Sequence, residues 1–291
     1  MLFFPGGFMF NRRKRKKARR RVLAIIIIVL LLVYALNYSN STIIADEYTV
    51  VIDGMPTAFE GYRIALVSDT HGNSFGENNE DILSLLRNHK PDMIALTGDI
   101  CDADNPPATM HRLMEQLTEL APVYYVTGNH EWAAGHVNTM MEYCSELGIK
   151  ALRNEYVLLQ EGEDSLVLAG VDDPNGYADQ KTPQELMLEI LRDQGDAPTL
   201  LLSHRPDDTR DFWTMGYDLV LSGHVHGGVV QIPKVGGLIA PSRELLPEFS
   251  KGLYTDGGSA LVVSAGLAGN VMPPRLFNPL HLPIVVLKGA E

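Results

Sequence analysis

Residues 123–131 of the 291-residue chain read VYYVTGNHE. The first four residues are apolar and rich in β-branched and aromatic side chains, which indicates a buried β-strand. The strand ends near Gly128, and three polar residues, Asn129, His130 and Glu131, follow directly. A strand of this kind delivers polar side chains to one edge of a sheet.

The same pattern occurs four more times along the chain. Apolar runs at 64–68, 93–97, 199–203 and 218–222 each lead into Asp or His. In open α/β sheets, ligands bind at the carboxyl ends of the strands. The residues that follow the five runs are therefore the candidate ligands of one site: Asp69, His71, Asp99, Asn129, His204, His224 and His226.

Strands and helices alternate regularly through the first half of the chain. Apolar residues at helical spacing predict helices over 81–90, 108–120 and 137–147. The first two lie between the first three strands of the pattern, and the third follows them. A further strand is predicted over 47–52. This alternation predicts a layered α/β fold, read here as one catalytic domain over 61–291.

The pattern changes after residue 150. A turn-rich tetrapeptide at 161–164 predicts a hairpin over 156–169, and a helix is expected over 183–193. Antiparallel strands of a second sheet are predicted at 229–232 and 260–264, and a last strand at 283–287. The Gly- and Pro-rich connection over 233–258 is interpreted as a lid or substrate loop.

The N-terminus combines a basic block with an apolar run. Nine of the 24 Lys and Arg residues lie between 12 and 21, and residues 22–36 carry no charge. Fifteen apolar residues suit a signal-peptide core and reach a marginal membrane span with their flanks. No small-residue cleavage site follows, so 22–39 is predicted to be an uncleaved signal anchor, and 40–60 a juxtamembrane stretch that leads into the first strand.

The charge distribution predicts which side of the membrane each part occupies. By the positive-inside rule, residues 1–21 stay cytoplasmic and the catalytic domain of this single-pass cell-membrane protein lies outside. Residues 46–291 carry 15 Lys and Arg against 36 Asp and Glu. So acidic a body argues against a nucleic-acid partner, because backbone binding needs Lys and Arg. Cys101 and Cys144 lack metal-type spacing and either pair or stay free.

The candidate ligands mix carboxylate, imidazole and amide oxygen. Such a set suits Mn, Fe or Zn better than Mg or Ca, and seven ligands are too many for one tetrahedral ion. Two ions that share a carboxylate fit better; such a pair activates water for in-line displacement at phosphorus. Each residue alone has a structural alternative, such as a turn at Gly128-Asn129. Five strand ends with idle, unpaired polar groups would be costly, so the set favours ligands.

The motifs also resemble a known family. In chain order, Asp69-x-His71, Gly98-Asp99, Gly128-Asn129-His130-Glu131, His204 and Gly223-His224-Val225-His226 resemble the calcineurin-like metallophosphoesterases over roughly 61–290. The resemblance implies a two-sheet α/β sandwich flanked by helices, with a dinuclear site. It assigns one metal to Asp69, His71, Asp99 and His226. It assigns the other to Asp99, Asn129, His204 and His224, with Asp99 bridging.

The resemblance also implies roles for two residues that are not ligands. His130 is the implied catalytic residue, which stabilises the transition state or protonates the leaving oxygen; its alternative role is to orient Asn129 or a phosphate. Glu131 is expected to support the loop. The N-terminal anchor and the segments 170–173 and 275–279 resemble a membrane-associated bacterial branch, the YkuE- and YaeI-type phosphodiesterases.

The function implied is hydrolysis of a phosphoester by two divalent metal ions. The favoured substrate is a phosphodiester or pyrophosphate, lipid-linked or part of the cell envelope, reached from the outer membrane face. Two alternatives stay open: a phosphomonoesterase, and an envelope sensor that binds metal or phosphate without turnover. The oligomeric state is left open.

Overall fold

The computed structural model describes residues 7–176, 180–206, 212–241, 243–269 and 273–290, with the side chains of 7–13 and 212 left aside. The first half alternates helices and strands, as predicted. Its elements are α1 (Gly7–Ser41), β1 (Ile43–Ile52), β2 (Arg63–Val67), α2 (Glu80–His89), β3 (Met93–Thr97), α3 (His111–Thr118), β4 (Val123–Val126), α4 (Asn129–Ala133), α5 (Val137–Leu147) and β5 (Lys150–Ala151).

The second half is richer in strands. Its elements are β6 (Glu155–Glu161), β7 (Asp164–Gly170), α6 (Pro183–Gln194), β8 (Thr199–Leu202), α7 (Phe212–Met215), β9 (Leu219–Ser222), β10 (Gln231–Ile232), β11 (Gly236–Gly237), β12 (Gly252–Asp256), β13 (Ser259–Val263) and β14 (Leu280–Gly289). The hairpin β6–β7 and the helix α6 lie where the sequence predicts them.

Two six-stranded mixed sheets form the body. Sheet I has the order β1-β14-β2-β3-β4-β5, and sheet II has the order β12-β13-β9-β8-β7-β6. Strands β2 to β5 run parallel to one another, as do β7, β8, β9 and β13. Because parallel strands present their carboxyl ends at one edge, each sheet collects the residues that follow its central strands at that edge.

The alternation of side chains along each strand builds the layers. In β2, Ile64 and Leu66 face the core between the sheets, while Ala65 and Val67 face the helices outside sheet I. Residues of α6 cover the outer face of sheet II. Both faces of the central strands are thus buried, which explains why these strands are almost purely apolar. The predicted two-sheet sandwich flanked by helices is confirmed.

The region from 229 to 258 differs from the prediction. Of the strand predicted at 229–232, only 231–232 form a strand, and they pair with β11 in a separate two-stranded sheet rather than with sheet II. Pro233 follows β10 directly and cannot donate to a ladder, which ends the strand. The predicted connection also contains β12, which pairs antiparallel with β13 along five residues. The turn signal at Gly257-Gly258 belongs to this hairpin.

The N-terminal helix is longer than the apolar run. It extends to Ser41, and β1 begins at Ile43, four residues before the predicted strand. All ten residues of β1 pair in parallel with β14, which offers a partner of equal length. By length and composition, 14–41 forms one helix able to cross a membrane. Its apolar side chains from Val22 to Tyr34 are exposed.

Candidate metal centre

The ends of five strands meet between the two sheets. Five of the seven predicted ligands have left-handed backbone, with φ between 46° and 68°: Asp69, His71, Asp99, His224 and His226. This conformation is strained for residues other than glycine and is concentrated at functional sites. It turns the chain sharply after β2, β3 and β9, so that the side chains converge at the sheet edge.

The first group of ligand-type side chains contains Asp69, His71 and His226. Their ligand atoms lie within 4.8 Å of one another. Nε2 of His226 is 3.6 Å from Oδ1 of Asp69, and the rings of His71 and His226 stack with centroids 5.2 Å apart. Three nitrogen and oxygen donors therefore face one small volume.

The second group contains Asp99, His204 and His224, and Asn129 adjoins it. Nε2 of His204 lies 3.2 Å from Oδ2 of Asp99, 3.2 Å from Nδ1 of His224 and 3.1 Å from Oδ1 of Asn129. Oδ2 of Asp99 is also 3.8 Å from Nε2 of His71. Asp99 thus lies between the two groups.

Two buried nitrogens test whether these side chains fit metal ions. Nε2 of His71 and Nε2 of His224 have no hydrogen-bond partner among the described residues. A buried polar atom without a partner is costly unless something else binds it. Imidazole nitrogens next to carboxylates are the donors that Zn, Fe and Mn take in proteins. The donor set therefore fits divalent metal ions.

The electrostatics of the metal-free site follow from burial and from the pair formed by Asp99 and His204. Burial raises the pKa of Asp99, but the charge on His204 outweighs burial and holds that pKa below its usual value. Burial lowers the pKa of His204, yet Asp99 prevails and raises it to about 10. His204 must therefore release a proton before its Nε2 can bind a metal, which links metal affinity to pH.

His224 and His226 are neutral in the metal-free protein. Burial, aided by the charge on His204, lowers the pKa of His224 to about 3. Burial and the cation of Arg275 lower the pKa of His226 well below its ordinary value. Neutral imidazole is the form that ligates metals. Burial and the charge on Asp99 raise the pKa of Asp69, whereas the imidazoles of His204 and His71 lower it. Burial prevails, so the pKa of Asp69 is raised.

Hydrogen bonds orient the candidate ligands. Nδ1 of His204 lies 2.7 Å from the carbonyl oxygen of Thr97, which can only accept, so Nδ1 keeps its proton and Nε2 is the nitrogen that can bind a metal once its own proton is released. The hydroxyl of Ser68 donates to Oδ2 of Asp69 at 2.7 Å, and the backbone N–H of His224 donates to the same carboxylate. These hydrogen bonds fix the orientation of the Asp69 and His204 side chains.

A cleft of about 740 Å³ opens at the first group, and His71 and His226 belong to its lining. Its lining includes His71, Asp102 and His130, together with Ile239 and Arg243 from the connection over 233–258. The volume suits a small molecule or one end of a larger one. The predicted lid or substrate loop over 233–258 therefore contributes a wall of the cleft.

Comparison with known proteins places the chain in a family. Residues 62–228, more than half of the chain, match the family model described as calcineurin-like phosphoesterase. The chain belongs to this family. It is a metal-dependent phosphoester hydrolase by family, and the predicted membership is confirmed.

Three relatives of this metallophosphoesterase are informative. YkuE of Bacillus subtilis is 28% identical over 267 residues, covering 89% of this chain and 90% of YkuE. The phosphodiesterase YaeI of Escherichia coli is 28% identical over 189 residues, covering 63% and 67%. A bovine transmembrane protein with a metallophosphoesterase domain is 29% identical over 255 residues. That match covers 83% of this chain but 56% of the bovine protein, so the chain spans about half of that relative.

His130 faces the cleft of the metallophosphoesterase. It lies in the first turn of α4, its side chain is 45% exposed, and its Nε2 is 4.0 Å from Oδ2 of Asp99. Its ring meets the ring of His71 edge to face, with centroids 4.6 Å apart. Its backbone N–H donates to Oδ1 of Asp99 at 2.8 Å. The imidazole is thus close to both groups and open to a substrate.

Glu131 does not face the cleft. It is fully buried and accepts backbone N–H groups from the loops after β3 and β4. Burial and the charge of Asp99 raise the pKa of Glu131 to about 7, and the N–H groups act in the opposite direction. This position agrees with a supporting residue.

Asp102 is a site residue that the strand-end pattern does not include. Its Oδ2 lies 3.3 Å from Nδ1 of His71, and it forms a third cluster with His71 and His130. It comes three residues after Asp99 in the same loop, beyond the first polar residue at which the strand-end pattern stops. The presence of a second carboxylate in that loop is the sequence feature from which Asp102 could have been predicted. Cys101 and Cys144, left open above, are both buried and free.

Proposed function

We propose that this metallophosphoesterase is a membrane-anchored, two-metal hydrolase of a phosphodiester or pyrophosphate bond. The observation that carries the proposal is the position of Asp99 between the two groups of ligand-type side chains. A carboxylate in that position suits a bridge between two ions, the arrangement used for in-line displacement at phosphorus.

The two ions would be held by the predicted sets. Asp69, His71, Asp99 and His226 would hold one, and Asp99, Asn129, His204 and His224 would hold the other. Divalent ions of the Mn, Fe or Zn type would supply Lewis-acid stabilisation of the oxygens that gain charge during displacement. The chain's own contribution is to fix the donors by hydrogen bonds from Ser68 and to Thr97, which keeps the site rigid.

His130 is proposed as the catalytic residue. Its half-exposed ring can donate a proton to the leaving oxygen or a hydrogen bond to the phosphoryl group. If His130 instead orients a phosphate without proton transfer, its position would be the same, but the dependence of turnover on pH would differ.

A diester suits the cleft better than a monoester. The lining also contains Val229, Ile239 and Pro241, which offer apolar contact to a second substituent on phosphorus. A substrate that is lipid-linked or part of the cell envelope supplies such a substituent. The name of the relative YaeI points in the same direction.

The proposed topology follows the charge of the helix. Residues 22–39 would span the cell membrane as a signal anchor, with 1–21 in the cytoplasm and the catalytic domain over 61–291 outside. Residues 40–60 would join the two. A cysteine introduced at Leu188, which is 61% exposed on α6, tests this orientation in intact cells. A membrane-impermeant maleimide labels it only if the domain is outside, and the native cysteines are buried.

The activity is tested with the full chain in detergent, loaded with Mn, on bis-p-nitrophenyl phosphate and p-nitrophenyl phosphate. His130→Ala should lower diester turnover about 10²- to 10⁴-fold with two metals still bound per chain. Asp99→Ala should lose both metal and turnover. His111→Ala, on α3 outside the cleft, is the matched control. Preference for the monoester would favour a phosphomonoesterase. Stoichiometric metal without turnover of either ester would favour the sensor.

A further inference from the structure

An exposed apolar surface lies beside the cleft. We name it the apolar rim and define it by Val235, Leu238, Leu245, Leu246 and Phe277. Their exposed fractions are 60%, 37%, 70%, 55% and 59%. Large aliphatic and aromatic side chains exposed together on a protein usually mark a surface that binds something. None of them is a predicted metal ligand or the proposed catalytic residue.

Backbone hydrogen bonds make the rim one continuous structure. The N–H of Leu246 donates to the carbonyl of Leu238 at 2.9 Å, and the N–H of Leu238 donates to that of Val230 at 2.9 Å. Val230 in turn forms a parallel bridge with Leu276, next to Phe277. The rim residues from two distant parts of the sequence are therefore fixed side by side.

The rim adjoins the cleft along the same segment. Ile239, Ala240, Pro241 and Arg243 line the cleft, and they lie in sequence between Leu238 and Leu245 of the rim. Ile239 and Leu245 also form an antiparallel bridge. Whatever covers the rim therefore meets the mouth of the cleft.

The rim is also tied to the end of α1. Nδ2 of Asn40 donates to the carbonyl of Arg275 at 2.9 Å, and the N–H of Arg275 donates to Oδ1 of Asn40 at 3.1 Å. The N–H of Asn278 donates to the hydroxyl of Ser39 at 3.3 Å, and Ser39 is fully buried. No flexible linker separates the two, so the position of α1 in a bilayer fixes the position of the rim.

A groove of about 710 Å³ shows how deep the rim lies. Residues between Ile28 and Ser39 of α1 form one side, and Phe277 and Pro279 form the other. Phe277 is therefore alongside the part of α1 proposed to be in the membrane. Its φ of 55° is unusual for a bulky residue, as is the φ of 53° at Leu246. Strain that exposes an apolar side chain needs a compensating contact.

The charge near the rim differs from that of the body. No acidic residue occurs between Asp218 and Glu244, while exposed Lys234 and Arg243 lie in that stretch. The rest of the body is strongly acidic. Basic residues interspersed with exposed apolar ones suit the surface of a bilayer with anionic headgroups.

We propose that the apolar rim inserts into the bilayer that holds α1, with Lys234 and Arg243 at the headgroups. The mouth of the cleft then faces the membrane, and the substrate is a lipid phosphoester whose acyl chains stay in the bilayer while its phosphorus enters the cleft. The substrate part of this proposal rests on the proposed function. The insertion of the rim does not, and it can be measured on its own.

Insertion is tested with the full chain in vesicles of phosphatidylcholine and phosphatidylglycerol. Spin labels are placed at Leu245→Cys and, as the control, at Leu188→Cys, an equally exposed leucine on α6. The two native cysteines are buried, which confines labelling to the introduced site. The label at 245 should be accessible to oxygen and protected from a nickel chelate, and the label at 188 should show the reverse.

Two outcomes would overturn insertion. A label at 245 that is as accessible to the chelate as the label at 188 would place the rim in water. Protection at 245 from both oxygen and the chelate would indicate that protein, such as a second copy of the chain, covers the rim.

The substrate class is tested with Leu245→Glu/Leu246→Glu. Turnover of fluorescent phosphatidylglycerol in the vesicles should fall at least tenfold, while turnover of bis-p-nitrophenyl phosphate stays unchanged. Leu188→Glu should change neither. An equal loss on both substrates would mean structural damage and overturn the lipid role. If the unsubstituted protein hydrolyses neither substrate, the proposed function fails, and the spin labels alone decide insertion.

Discussion

Oε2 of Glu131 lies 3.0 Å from the backbone nitrogen of Asp99 and accepts its hydrogen bond. The same oxygen accepts the N–H of Gly128 at 2.8 Å, and Oε1 accepts those of Ile100 and Cys101 at 2.6 and 3.1 Å. One buried carboxylate therefore joins the loop after β3 to the loop after β4. These loops carry the central carboxylate of the site and the side chains of Asn129 and His130.

Glu131→Gln should destabilise the protein and loosen the site. The amide group of glutamine would present a donor to two buried N–H groups that need an acceptor, at a cost of about 3 kcal/mol. Urea unfolding of the metal-free protein measures the stability, and isothermal titration measures metal affinity, which should also fall. Glu142→Gln, an exposed glutamate on α5, is the control. Unchanged stability would contradict the role given to Glu131.

Asp102→Asn should weaken metal binding through His71. The carboxylate 3.3 Å from Nδ1 of His71 holds the imidazole with Nε2 toward Asp99. Losing such a partner typically costs 10- to 100-fold in metal affinity or activity. Asp104→Asn, an exposed carboxylate in the same loop, should leave affinity unchanged. Equal effects of the two substitutions would point to net charge rather than to the orientation of His71.

Gly223→Ala should abolish the site while a matched glycine substitution does not. A Cβ on Gly223 would overlap Oγ of Ser68 and the carboxylate of Asp69, which are both buried. Metal content after purification and dialysis should drop to zero or one ion per chain. A Cβ on Gly257 meets nothing within 4 Å, and its φ of 58° costs only about 1 kcal/mol in Gly257→Ala. Two ions retained in Gly223→Ala would refute the packing argument.

The stability of the metal-free protein should fall between about pH 6.5 and pH 4 because of His281. Nδ1 of this fully buried residue accepts the N–H of Ala265 at 3.1 Å, and Nε2 lies 3.3 Å from Oδ2 of Asp46. Burial lowers the pKa of His281 to about 4, although Asp46 opposes it. The unfolded chain binds a proton near pH 6.5 and the folded chain does not, so stability is lost as the pH falls.

The loss should approach about 3 kcal/mol at pH 4, from a difference of roughly 2.5 pKa units. His281→Asn keeps an acceptor for Ala265 and cannot take up the proton, so its stability should change less over this range. Asp46, whose pKa the hydrogen bond from His281 lowers to about 2, titrates below this range. Urea unfolding of both proteins at several pH values makes the comparison. Parallel curves would exclude His281 as the cause.

The strands and their polar ends could be predicted because the signal is local. Each apolar run is buried on both faces. The polar residue that follows the run therefore lies at the carboxyl end of the strand, at the edge of the sheet. The helix at Val137–Leu147 was predicted at its observed bounds, since Gly148 ends it in left-handed conformation. The hairpin β6–β7 was also predicted from local sequence.

The segments that were predicted wrongly depend on distant partners. Val229 and Val230 have strand-forming side chains, but they lie beside Leu276 rather than in sheet II. The strand β12 exists because β13 offers it an edge, and its sequence from Gly252 to Asp256 has no strong periodicity. Neither partner can be identified from the segment itself.

The sequence by itself determined the layered α/β fold, the candidate ligands and the apolar helix, because spacing and hydrophobicity act along the chain; the two-sheet sandwich was implied by the family resemblance of the motifs. Only the tertiary structure decided that Asp102 orients His71 and that Asp46 meets His281 across 235 positions. It also placed Asn40 against Arg275 and so fixed the end of α1 to the apolar rim. Such contacts join residues whose separation in sequence carries no information about distance, and the packing of two sheets brings them together.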